Sequence, residues 1–155
     1  MRWSDVLAEP TLRDLPFKIE LNPLGTIEMS PASTWHGRRQ GKVMAYLNRK
    51  LAVGSVIPEA AIQTAYGVRV PDIVWCSDQF DALHGNASPL PLAPELCIEV
   101  LSNSNTDAEM SAKRGAYFAA GAQEVWLVAD DSAITVYTRE GIQTASGIVG
   151  EAPVL

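Results

Sequence analysis

Apolar residues fall in short blocks along most of this chain, and their spacing changes from block to block. FKIELNPLGTIEMS (17–30) has two such runs around an Asn-Pro-Leu-Gly segment, which predicts two strands joined by a turn. From Ser33 to Val53 the period becomes helical: at about 100° per residue, Val43, Met44, Leu47 and Leu51 share one face. IPEAAIQTAY and VRVPDIVWC predict two strands separated by Gly67, and the stretch 77–94, broken by Gly85, Pro89, Pro91 and Pro94, predicts a long loop. ELCIEVLS (95–102) contains the short apolar run of a strand covered on both faces. SNSNTDAEMSAKRGAYFAAGA opens with cap-forming side chains and closes on Gly121, which predicts an amphipathic helix. EVWLVA and AITVYTRE predict strands around an Asp-Asp turn, with one more after Gly141. The order is hairpin, helix, three strands, helix, two or three strands, and it predicts a mixed α/β or α+β fold built on one sheet.

Several polar residues stand where this pattern expects apolar ones. Glu99 interrupts ELCIEVLS, and burying an unpaired carboxylate costs on the order of several kcal/mol or forces it to take up a proton. Glu99 therefore needs solvent, a partner or a metal. Asp72 follows Pro71 at the start of an apolar strand, although an aspartate there also serves to end a turn. His36 and Gln40 lie in the middle of the apolar face of the first helix, where a histidine is also commonly a hydrogen-bonded structural residue. Lys113 shares a face with Met110, Ala116, Tyr117 and Ala120, and a long stem there can carry its ammonium out to water. Each has an ordinary structural explanation. Taken together, adjacent strands and the helix that follows can bring Asp72, Glu99 and Lys113 to one end of a sheet. Two carboxylates about 5 Å apart raise one another's pKa unless a cation lies between them. A hard divalent ion bound through oxygens, Mg²⁺ or Mn²⁺, answers that problem.

With 155 residues the chain can bury roughly two thirds of its unfolded surface, so residues 1–155 are read as one domain that needs no metal or disulfide staple to fold. Cys76 and Cys97 both lie in apolar runs, where a free thiol acts as a small hydrophobe, and this suits a reducing, cytoplasmic setting. MRWSDVLAEP lacks a signal-peptide core, and no stretch approaches the roughly 18 apolar residues of a membrane span. A soluble intracellular protein is expected. The net charge of −6 argues against a uniformly positive surface for nucleic acid. Between Met29 and Pro58, however, there is no acidic residue, while Arg38, Arg39, Lys42, Arg49 and Lys50 fall there. Arg38, Lys42 and Arg49 form a narrow helical stripe, which is either a solvated face or the place where an anionic partner is met. There is no zinc-spaced Cys/His cluster, no phosphate-cradling GxxxxGK[ST], no GxGxxG and no GxSxG, so oxygen-ligated metal chemistry is the best surviving enzymatic reading.

Asp72 on one strand, Glu99 on the next and a lysine near them resemble the PD-(D/E)xK nuclease superfamily. More closely, the chain resembles the Uma-type family of restriction-endonuclease-like proteins over most of its length. IELNPLGTIEMSPAS with the following histidine, VRVPDIVW, ELCIEVLSNSNTD and KRGAYFAAGAQEVWLVADDSAITVY carry the resemblance. It implies a restriction endonuclease-like core, a mixed central β-sheet flanked by helices with an N-terminal β-hairpin, in a homodimer. It also implies Asp72 and Glu99 as ligands of Mg²⁺ or Mn²⁺, with the backbone carbonyl of Val100 as a further ligand. The superfamily lysine belongs two residues after the glutamate, where this chain has Leu101; Lys113 matches a position from which a lysine can serve the same space. Glu20 and His36 match further polar positions, the first either as a residue that supports the ligands from behind or as an additional ligand, the second as an acid/base or phosphate contact. Glu59 and Gln63 share one side of their predicted strand and would line the same cleft. The activity implied is metal-dependent endonucleolytic hydrolysis of DNA by metal-activated water. The missing lysine and the acidic net charge favour an alternative, a nuclease-fold binding or scaffold module without catalysis. Two-carboxylate glycoside hydrolysis ranks far behind, since the four tryptophans are spread along the chain rather than grouped for a sugar cleft.

Overall fold

The computed structural model describes residues Met1–Leu155. A short helix that the sequence pattern does not announce, α1 (Trp3–Ala8), precedes the expected hairpin of β1 (Phe17–Leu21) and β2 (Ile27–Pro31). The first long helix, α2 (Thr34–Lys50), starts where the Ser33 hydroxyl accepts the His36 amide, and so caps a backbone donor that the helix itself leaves unpaired.

The segment expected to hold two strands holds four: β3 (Ser55–Pro58), β4 (Ile62–Thr64), β5 (Gly67–Arg69) and β6 (Ile73–Cys76). The extra breaks have a physical cause. At Glu59, with φ of 51°, the chain leaves one sheet, and between Arg69 and Ile73 it returns. Gly67, with φ of 91°, makes the β4–β5 turn, and a Cβ there would collide with the Leu21 carbonyl oxygen. Only glycine lets β5 approach β1 this closely. The expected loop 77–94 contains a two-turn helix, α3 (Asp78–His84), capped by Ser77. The remaining elements are β7 (Leu96–Val100), α4 (Asp107–Ala119), β8 (Glu124–Val128), β9 (Ile134–Thr138) and β10 (Gly141–Gln143).

The strands form two sheets rather than one. A mixed six-stranded sheet runs β10-β9-β8-β7-β6-β3, with β7 and β8 parallel, and a four-stranded antiparallel sheet runs β2-β1-β5-β4. The hairpin is thus not an appendage but part of a second sheet, which brings β1 beside the crossing between β5 and β6.

The six-stranded sheet is covered on both faces. On one face Leu96, Ile98 and Val100 of β7 pack with Val43, Tyr46 and Leu47 of α2 and with Trp126 of β8. On the other, Cys97 joins Val74, Val125, Ile62 of β4 and Tyr117 of α4. Every residue of β7 is buried, as its nearly unbroken apolar run predicts. Both cysteines are free and buried.

Candidate active site

The site follows from strand register. β6 and β7 pair antiparallel with Ile73 opposite Ile98, so extending the ladder by one residue sets Asp72 across from Glu99. By alternation both side chains leave the sheet on the face covered by α4. Asp72 is 2% exposed and Glu99 4%. Two carboxylates buried side by side require neutralising partners, and three elements deliver them.

Lys18 of β1 places Nζ between the pair, 2.8 Å from Asp72 Oδ1 and 3.4 Å from Glu99 Oε2. Lys113 of α4 lies 3.3 Å from Glu99 Oε1 and 3.2 Å from Glu20 Oε2. From α2, His36 sets Nε2 3.2 Å from Asp72 Oδ1. Arg69 of β5 continues the series, 3.6 Å from Glu20 and 2.5 Å from Glu28. The cluster therefore alternates in sign from His36 to Glu28, and it balances when His36 is protonated.

Neutral donors complete it. The Val100 amide donates to Asp72 Oδ2 at 2.7 Å, the Val70 amide to Glu20 Oε1 at 2.7 Å, and the Tyr117 hydroxyl to Glu99 Oε1 at 2.5 Å. Gln40 Nε2 and the Glu59 amide both donate to the Asp72 carbonyl, which fixes the backbone from which that aspartate projects.

This environment drives the two acids apart. Burial works against the ionised form of Asp72, but the hydrogen bond from His36 and the charge of Lys18 outweigh it and hold the carboxyl well below its usual range. At Glu99 burial dominates and pushes the carboxyl up, only partly offset by Lys18 and Lys113. Burial opposes the charge on Lys18, yet Glu99, Asp72 and Glu20 together raise it above an ordinary lysine. The hydrogen bond to Asp72 raises His36. Neighbouring carboxylates with divergent proton affinities are a recurrent feature of acid/base and metal sites.

Five of the sequence-predicted side chains, Asp72, Glu99, Lys113, His36 and Glu20, thus converge. Val100 joins them through its N–H, bonded to Asp72, whereas the resemblance implies a part for its carbonyl. Lys113 does not reach out to water, and the odd placement of His36 and Gln40 on the apolar face of α2 is explained by Asp72 beneath them. Glu59 and Gln63 are not on one strand: Glu59 is in the turn after β3, while Gln63 lies in β4 of the other sheet and donates to the Thr64 carbonyl. Arg38, Lys42 and Arg49 are exposed on α2 and take no part in the ion pairs of the cluster. Of the other basic residues of that segment, Arg39 is buried against Trp35 and Lys50 pairs with Glu151.

Sequence reasoning missed Lys18, Tyr117 and Arg69. For Lys18 a signal existed, since in FKIEL it stands two residues from Glu20 and so on the same face of the strand. Tyr117 reads as an ordinary core residue of an amphipathic helix, and only the fold reveals its hydroxyl on Glu99.

The donor set suits a hard divalent ion. Asp72 and Glu99 offer carboxylate oxygens across a shared space in which the structure already seats a cation, the Lys18 ammonium. Although these side chains share one cluster, no three His, Cys, Asp or Glu among them are placed to hold one ion together, so such an ion would keep part of its shell for water and substrate oxygens, as Mg²⁺ commonly does.

Comparison with known proteins gives a consistent picture. The Uma2 family, described as "Putative restriction endonuclease", matches residues 9–151. No curated protein matches the chain. Among solved structures, a crystal structure described as "a putative nuclease belonging to DUF820", from Anabaena variabilis, superposes with a TM-score of 0.74. The match covers 92% of this chain and 83% of that one at 18% identity, and likeness at that distance concerns the fold.

Proposed function

The chain belongs to the Uma2 family, and on that premise we propose that it is a nuclease that hydrolyses phosphodiester bonds of DNA at the Asp72–Glu99 centre, with Mg²⁺ or Mn²⁺ as cofactor. The observation that carries this reading is the β6–β7 register, which sets two buried acids face to face and ringed by cations. Asp72 and Glu99 would hold the ion, which when bound supplies an acidified water and screens negative charge on the phosphate.

The remaining roles belong to the chain's own groups. Lys113, between Glu99 and Glu20, neutralises charge on a phosphate oxygen. Of the two side chains on the Asp72 carboxylate, His36 is the more open, at 24% exposure against 13% for Lys18, and its raised pKa favours the protonated form that a departing oxygen requires. Arg38, Lys42 and Arg49, exposed on α2, meet backbone phosphates. Residues 1–155 act as one such domain, and two copies pair as a homodimer to present two sites.

Cleavage of supercoiled plasmid with Mg²⁺ or Mn²⁺ tests this. Asp72→Asn and Glu99→Gln are each expected to abolish it, and undiminished cleavage by both substitutions would sink the assignment. A second reading, a nuclease-fold module that binds DNA without cutting it, draws support from the charge balance that Lys18, Lys113, Arg69 and a protonated His36 achieve with no metal at all. DNA binding by a wild-type protein that leaves plasmid intact at every divalent concentration selects this second reading.

A further inference from the structure

Lys18 is the cation set between the two proposed ligands, and the roles above leave it unused. It reaches from the four-stranded sheet into the gap between two acids of the six-stranded one. The oxygens it holds are Asp72 Oδ1 and Glu99 Oε2. The opposite oxygens are engaged elsewhere, Asp72 Oδ2 by the Val100 amide and Glu99 Oε1 by the Tyr117 hydroxyl and Lys113. Lys18 therefore occupies the two oxygens that face the shared space, sharing Asp72 Oδ1 with His36, and these are the oxygens a bridging cation needs. An ammonium and a divalent ion cannot both fill that buried gap, because like charges a few ångströms apart repel strongly away from bulk water.

The surroundings allow the lysine to leave. β1 pairs with β5 only at Leu21–Val68, so the half of β1 that carries Lys18 is hydrogen-bonded as a strand to β2 alone. Lys18 also lines a groove of about 280 Å³ with Trp3, Val6, Arg13, Phe17 and Glu59, which offers its side chain space outside the gap. We propose that Lys18 is the resident cation of the Asp72–Glu99 pair, and that a divalent ion binds there only as Lys18 withdraws, so that this lysine sets the metal affinity of the site. The inference rests on the metal-assisted reading above and deepens it.

Mn²⁺ binding, followed by the electron paramagnetic resonance of the free ion, tests it in wild type, Lys18→Met and Lys18→Arg, with circular dichroism as the check on folding. Lys18→Met is expected to bind Mn²⁺ at least about tenfold more tightly than wild type, equivalent to about 1.4 kcal/mol. Lys18→Arg, which keeps the charge, stays weak. Lys18→Gln, which keeps a hydrogen-bond donor without the charge, serves if Lys18→Met does not fold. In the wild type, saturating Mn²⁺ is further expected to increase acylation of the Lys18 amine, mapped by mass spectrometry. Equal Mn²⁺ affinity in wild type and the folded neutral variants, no Mn²⁺ binding by those variants, or unchanged Lys18 labelling each overturns the proposal. Metal-dependent cleavage that is lost in Asp72→Asn alongside equal affinities removes this inference alone. Tight Mn²⁺ binding by Lys18→Met alongside cleavage indifferent to Asp72→Asn removes only the assignment of function.

Discussion

Replacing Tyr117 with phenylalanine removes one oxygen atom from the interior and isolates its bond to Glu99. The ring is fully buried and packs with Val74, Cys97 and Val125, all of which the substitution leaves in place. What disappears is a 2.5 Å hydrogen bond to a carboxylate that is itself 4% exposed. A hydrogen bond to a charged group contributes roughly 1.5–3 kcal/mol. Lys113 remains on the same Glu99 oxygen, so the acceptor is not orphaned and the expected loss is about 2 kcal/mol with Glu99 ionised. For a chain of this length that is about 4–8 °C in melting temperature. The hydroxyl favours the ionised form of Glu99, so its removal raises further a pKa that burial has already raised. The loss should therefore be complete above the Glu99 pKa of the folded variant and shrink as pH falls through it. Urea unfolding followed by circular dichroism at several pH values measures both features. A loss below about 0.5 kcal/mol, within the range of an inconsequential substitution, or one that does not diminish in acid, refutes the claim that Tyr117 supports a charged Glu99.

Three further outcomes are expected. His36 has a folded pKa raised above its ordinary 6.5, so its pairing with Asp72 stabilises fully below that value and fades as pH rises through the raised one; urea midpoints of wild type and His36→Gln should converge between neutral and alkaline pH, and a constant gap contradicts this. Glu124→Ala strips acceptors from the Trp126 indole, the Ser146 hydroxyl and the Gly147 and Ile148 amides, and is expected to cost about 3 kcal/mol in chemical denaturation; a loss under about 1 kcal/mol would show that the tail is held by other interactions. Reversing Arg38, Lys42 and Arg49 to glutamate should leave stability within about 0.5 kcal/mol per site, since all three are exposed, yet weaken DNA binding and flatten its salt dependence by roughly 0.9 for each phosphate that is no longer neutralised; an unchanged salt slope in fluorescence anisotropy removes them from the interface.

Much of this protein can be read directly from local pattern. The hairpin, both long helices, β7 through β10 and the burial of β7 on both faces follow from periodicity, caps and turn residues, because those features depend on neighbours in the chain. The four short strands between Ser55 and Cys76 were not legible, since whether a turn at Glu59 returns to the same sheet or passes to another is set by pairing with distant strands.

Glu99 and Glu124 mark the boundary most sharply. Each is a glutamate in an apolar strand, and each is buried, at 4% exposure. Nothing in local sequence separates them. The fold does: Glu124 meets only neutral donors, the Ser146 hydroxyl, two backbone amides and an indole, and pins the C-terminal segment. Glu99 meets two lysines and lies across from a second acid. The sequence by itself determined that Asp72, Glu99, Lys113 and His36 break the pattern of their elements, because a charge on an apolar face costs energy wherever that face is buried. Only the tertiary structure decided which of these charges meet, and that Lys18 stands between two of them, because Coulomb interaction acts through space and is blind to separation along the chain.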